Sequence, residues 1–227
     1  MKKIAYLLIV VFAVSMSSCS LFKGGDDTFE GHIKFKIEYE GELDENTRAQ
    51  LPTSVIKYYK DSKVREENET AMYSVYQITN SAKEEVIILM DMDMMGEKIA
   101  YKKSKEDMEE EIEEEMGEEM EDPEIRETGE TKEILGYDTK KVELLMGDNI
   151  FTAYTTDELK TEANLNWAGP FKGVDGIILE YTTEQQGIIT THKATEIKKE
   201  KVSSEKFTIP SEYELKTEEE IKTLFGG

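Results

Sequence analysis

The stretch FEGHIKFKIEYEGE, residues 29–42, decides the fold. Ile33, Phe35, Ile37 and Tyr39 alternate with Lys34, Lys36, Glu38 and Glu40. Period two sends the first set to one side of an extended chain and the second to the other. A strand with one oily and one wet face belongs to an antiparallel sheet, because parallel sheets are covered on both faces. The pattern recurs along the chain. SVIKYYKDSKVREENE (54–69) predicts two strands around a turn at Asp61-Ser62-Lys63. AMYSVYQITN (71–80), EEVIILMDMD (84–93) and EKIAYKK (97–103) predict three more. KKVELLMGDNIFTAYTT (140–156) reads as a hairpin turning at Gly147-Asp148-Asn149. GIILEYTTEQQGIITTHKATEIKKEKV (176–202) reads as another, turning between Glu184 and Gly187. Short strands with no long helices between them form a meander. The expected class is mainly β (α+β), a curved antiparallel sheet or half-barrel of about eight to ten strands.

One segment breaks the pattern. In SKEDMEEEIEEEMGEEMEDP (104–123), Met108, Ile112, Met116 and Met120 recur every four residues. Ser104 can cap, Asp107 follows three residues later and Pro123 stops the run, predicting an acidic helix near 105–121. Glutamates at i and i+4 cost about 0.2–0.5 kcal/mol per pair, so the Met/Ile stripe has to dock to hold it. Short helices are expected within 43–52 and at the C-terminus in TEEEIKTLF.

The chain begins MKKIAYLLIVVFAVSMSSC, with Lys2 and Lys3 before an apolar run that ends in small residues at Cys19. This is the layout of a secretory signal over residues 1–18, too short to span a membrane. Cys19 is the only cysteine, and the residues before it resemble a bacterial lipobox. Its expected role is lipid attachment, with residues 19–28 as an acylated Gly- and Asp-rich tether and 29–227 as one domain. Sorting rules for such lipoproteins imply the outer membrane; Asp26-Asp27 weakly resembles a surface-export signal, and the leaflet stays open.

Fifty acidic against 28 basic residues leave a formal charge of -22. That field repels nucleic acid, which is not an expected partner. Four prolines and no Ser/Pro tract argue against an internal linker. DMDMMGEKIAYK (91–102) fails as a calcium loop, with Met95 and Lys102 where ligands are needed. The methionines after VIIL read as a malleable apolar lining rather than a copper site. His32 and His192 are expected as satisfied sheet or surface histidines, with no third metal ligand signalled. No nucleophile elbow, zinc helix motif or phosphate loop is present. The chain is therefore expected to be non-enzymatic, without catalytic residues, metal or cofactor.

Two C-terminal stretches carry a resemblance. AGPFKGVDGIILEY (168–181) resembles the signature of the GLPGLI family of bacterial envelope proteins, with Gly173, Gly176 and Ile178 identical and Asp175 in place of the proline. EILGYDTKKVEL (133–144) resembles a strand shared with the family called domain of unknown function 4412: Gly136, Tyr137, Lys140 and Lys141 match, while Thr139 replaces a cysteine. The resemblance implies an exported protein similar to LolA-type lipoprotein carriers, with helices across the concave face of a curved sheet. It carries no catalytic residue over.

The expected function is a membrane-anchored envelope lipoprotein binding a hydrophobic or lipid-like ligand. Phe35, Ile37, Tyr39 and Tyr76 would line the site, the Met108/Ile112/Met116/Met120 helix would be its lid, and Trp167 an aromatic lip. Trp167 also reads, and more simply, as a cap on the core at a structural crossover. The alternative is a structural or interaction module whose acidic helix binds a basic partner or divalent cations.

Overall fold

The computed structural model describes residues 28–70, 72–92, 96–108, 110, 124–146, 149–162, 164–167, 171–185 and 187–225. Six strands follow one another from the middle of the sheet to one edge: β1 (Gly31–Glu40), β2 (Ser54–Lys60), β3 (Lys63–Glu69), β4 (Ser74–Asn80), β5 (Glu85–Met92) and β6 (Glu97–Ser104). Five more run back from the far edge: β7 (Glu124–Ile134), β8 (Tyr137–Met146), β9 (Asn149–Thr156), β10 (Ile177–Gln185) and β11 (Ile188–Lys199). The two meanders are joined by antiparallel pairing of β1 with β11, and β12 (Glu214–Leu215) adds a short parallel strand outside β6. The result is an open, curved twelve-stranded sheet, two strands more than the upper bound read from the sequence. Register shifts in the β1–β11, β9–β10 and β7–β8 pairings mark bulges, which bend a strand and increase its twist.

The short helices are α1 (Glu45–Gln50), capped by Asp44 Oδ1 accepting from the amides of Asn46 and Thr47, and α2 (Glu218–Phe225), which lies beside β6. Residues 105–108 are helical, and their start carries the expected cap: the Asp107 amide donates to Ser104 Oγ, and the Ser104 amide donates to Asp107 Oδ2. The rest of the acidic tract, 109 and 111–123, lies outside the described residues, as do residues 1–27 with Cys19. No helix among the described residues is long and apolar enough to cross a membrane.

β1 shows why the sheet has two covered faces. Ile33, Phe35 and Ile37 are buried as the alternation requires, in a cluster with Val55, Tyr59 and Leu179. His32, on the opposite face, is buried as well. A segment after β11 covers it: Glu30 Oε1 accepts from the Val202 amide (2.8 Å), and Lys60 Nζ donates to the Val202 carbonyl (2.7 Å). Val202 and Phe207, the latter in a 3-10 turn (Ser204–Phe207), pack against Ile78, Ile87 and Leu89. Arg65 Nη1 donates to the Lys206 carbonyl (2.9 Å) and its guanidinium lies 4.6 Å from the Tyr76 ring. On the other face the long β9–β10 connection supplies the cover, with Phe171 and Val174 packing on Val142, Leu144 and Ile178. Irregular segments thus cover these parts of both faces; the acidic helix expected across the concave one lies mostly outside the described residues.

Candidate functional site

The β2–β3 hairpin turns tightly, with Asp61 in the left-handed region (φ 53°) and Lys60 paired to Lys63. That register sets Lys57 directly opposite Glu66, in the row headed by buried Ile33. A lysine and a carboxylate therefore stand on the oily side of their strands. They meet each other: Lys57 Nζ lies 2.8 Å from Glu66 Oε2, and Asn68 Nδ2 donates to Glu66 Oε1 (3.0 Å). The side chains keep 20% and 26% of their surface accessible, along the cavity they line.

Aromatic groups close around the pair. Lys57 Nζ lies 5.2 Å from the Tyr181 ring centre and 5.6 Å from that of Phe35, within reach of the cation–π attraction. Tyr181 on β10 faces His192 on β11, stacked at 4.2 Å with 9° between planes, and Phe171 meets Tyr181 edge-on at 5.0 Å. The cavity between these groups has a volume of about 330 Å³ and is lined by Lys57, Glu66, Tyr59, Leu165, Phe171 and Tyr181, among others. Its cover is fastened by Asn166, whose Nδ2 donates to the carbonyls of Val174 (2.8 Å) and Gly176 (3.0 Å). Gly176 has no substitute: φ is +82° and a Cβ there would stand 2.5 Å from the Thr156 carbonyl oxygen.

Electrostatics hold these groups in fixed states. Burial works against the Lys57 charge, but the Glu66 carboxylate outweighs it and the ammonium pKa is raised. Burial likewise opposes the Glu66 charge, and Lys57 with Asn68 brings its pKa below the ordinary value. The Tyr181 hydroxyl is pushed up to about 12 by desolvation. His192 is pushed down to about 4, first by desolvation and then by the Lys57 charge. At neutral pH the site holds one ion pair, a neutral imidazole and a protonated phenol. His192 Nδ1 is buried and has no hydrogen-bond partner among the described residues.

Of the residues expected to form the site, Phe35 has its ring beside Lys57. Phe35 and Ile37 are packed into the core, leaving only 1% and 5% of their surface accessible. Tyr39 packs against that core and donates its hydroxyl to the Pro52 carbonyl (2.8 Å). Tyr76 lies in the row of Lys34 and Glu67, on the opposite face. Met108 is half-buried at the start of the acidic helix, while Ile112, Met116, Met120 and Cys19 lie outside the described residues. Trp167 adjoins Asn166 at the cavity's cover, and its Nε1 is buried without a partner among the described residues. Among the described residues no group of three or more His, Cys, Asp or Glu is placed to hold a metal ion. Sequence reading missed Lys57, Glu66, Tyr181 and Asn166. The signal for Lys57 was present, since it interrupts an otherwise apolar row, Val55-Lys57-Tyr59; Glu66, between Val64 and Asn68, gave none.

No family model matches this chain, and no curated protein matches it. The fold does have solved neighbours. Structures of PNGF-II in P21 and in C2 crystals each superpose with a TM-score of 0.55 at 18% identity, covering 87% and 84% of this chain. The chain spans only about a third (33% and 31%) of the length of those proteins. A crystal structure of LprF from Mycobacterium bovis aligns over 74% of this chain and 85% of its own, at 9% identity and a TM-score of 0.30, too low to bear on fold or function. The likeness to PNGF-II is one of fold alone.

Proposed function

We propose that this chain is a non-enzymatic binding protein of the bacterial envelope, tethered through acylated Cys19, with the cavity beside Lys57 and Glu66 as its ligand site. The ligand is a short, lipid-like amphiphile. Its polar end meets the ion pair and the Tyr181 hydroxyl; its apolar part lies along Tyr59, Leu165 and Phe171. One observation carries the reading: a preformed hollow with apolar walls, a single charged pair inside it and a fastened cover. Small-molecule sites combine these features, at volumes of about 300–1,000 Å³. The cavity lies at the low end of that range, which favours a short ligand over a long acyl chain.

The protonation states support binding over catalysis. A general acid or base works best with a pKa near the working pH, whereas His192 and Tyr181 are held several units to either side of neutrality. Lys57, with its pKa raised, is no nucleophile. The test is titration of delipidated protein with a fluorescent fatty acid, followed by displacement with octanoate. Saturable uptake that is lost in Lys57→Met/Glu66→Leu is expected. Absence of saturable uptake, or uptake indifferent to that double substitution, overturns the reading.

A further inference from the structure

A second hollow lies on the opposite face, where the β2–β3 and β4–β5 hairpins end beneath the C-terminal cover. Its volume is about 600 Å³. Ile78, Ile87, Phe207 and Ile209 supply the apolar surface, and Lys63, Lys83 and Asn80 the polar one. Asn80 is 8% exposed and its Oδ1 has no hydrogen-bond partner among the described residues. Orphaned buried oxygens cost about 1–3 kcal/mol each, so such atoms point to a missing donor.

The charges at the rim add a second observation. Acid outnumbers base 50 to 28 in this chain, and lysines across the sheet are engaged by carboxylates, Lys102 by Glu85 at 3.3 Å among them. Lys63 and Lys83 have no ion pair among the described residues, and both line this hollow. Asp61 and Glu85 stand there too, but Glu85 is matched by Lys102. One positive charge is left over.

From this juxtaposition we infer that the hollow is a binding site for a hydroxyl-rich organic monoanion of the sugar-acid class. A ligand hydroxyl donates to Asn80 Oδ1. The carboxylate meets Lys63 and Lys83, and the C–H face of the ring lies on Phe207 and Ile209. A plain fatty acid leaves the Asn80 oxygen unpaired, and a neutral sugar leaves the lysines unpaired. Polar groups left unpaired in a site built to engage them are what make it selective.

The test uses glucuronate as probe, with glucose and inorganic phosphate as controls, read by amide chemical shifts of the full folded domain. Glucuronate is expected to shift the signals of Lys63, Asn80, Ser81 and Lys83 saturably, and to bind at least tenfold more tightly than either control. Lys63→Ala/Lys83→Ala, which alters no described ion pair, is expected to weaken binding at least tenfold without moving the urea midpoint. Asn80→Ala is expected to weaken it as well, and Lys57→Met/Glu66→Leu to leave it unchanged. No saturable shift, equal binding of glucose or phosphate, or indifference to the double lysine substitution overturns the assignment.

Discussion

Acidification from pH 7 to pH 5 is expected to weaken this fold through His192. The ring lies against Tyr181 with the Lys57 charge nearby, and its pKa is lowered from an ordinary 6.5 to about 4. In the unfolded chain the imidazole takes up a proton near 6.5; in the folded chain it does not until about pH 4. The unfolded state therefore binds more protons throughout that window, and stability falls as pH falls. The contribution is fully present above 6.5 and is lost on the way down to 4. Integrated between pH 7 and pH 5, two pKa values this far apart give about 2 kcal/mol. With a urea dependence of about 2 kcal/mol per molar, the midpoint moves by about 1 M. The control is His192→Phe, which keeps an aromatic ring against Tyr181 and removes the titration. Urea unfolding of both proteins, followed by Trp167 fluorescence at each pH, isolates the effect, since every other side chain is common to both. Wild type should lose about 1 M more than the variant. Equal losses would show that the imidazole is not desolvated as the geometry requires.

Lys57→Met alone leaves Glu66 uncompensated on the inner face and should cost about 3–5 kcal/mol in denaturant titrations, whereas Lys57→Met/Glu66→Leu should recover most of that. Asn166→Ala removes both bonds that fasten the cavity cover, and should lower stability by about 1–3 kcal/mol. Hydrogen exchange should report the change first at the amides of Val174 and Gly176. Gly176→Ala forces a Cβ against the Thr156 carbonyl at φ +82° and should cost about 2 kcal/mol or more, read as a lower melting temperature. Phe35→Ala, at a site 1% exposed, should cost about 3–5 kcal/mol.

Much of the sheet was legible because local physics writes it. Alternation at Ile33, Phe35 and Ile37 marked the buried side of β1, and the turn at Asp61-Ser62 set the register that places Lys57 across from Glu66. The Ser104/Asp107 cap was also visible, since capping needs only neighbours in sequence. β7 escaped notice because Glu124 to Glu133 is almost wholly exposed and carries charge on both sides, so no period-two signal exists. Charges and the bulge near Gly129 suit it to the outer position it takes among the described strands, where pairing with another chain has to be discouraged.

Sequence by itself therefore determined most of the strands, the turns of their hairpins and an antiparallel sheet with a central oily row, because each depends on residues a few positions apart. Only tertiary structure decided what lies over each face. β1 meets β11 across some 160 residues of chain, and no local preference encodes that pairing. It brings Tyr181 and His192 to Lys57, and it carries the segment after β11 over His32 and Ile78. Whether a lysine in an apolar row becomes a surface charge or one wall of a cavity depends on which distant segment folds over it, and that is a property of the assembled sheet.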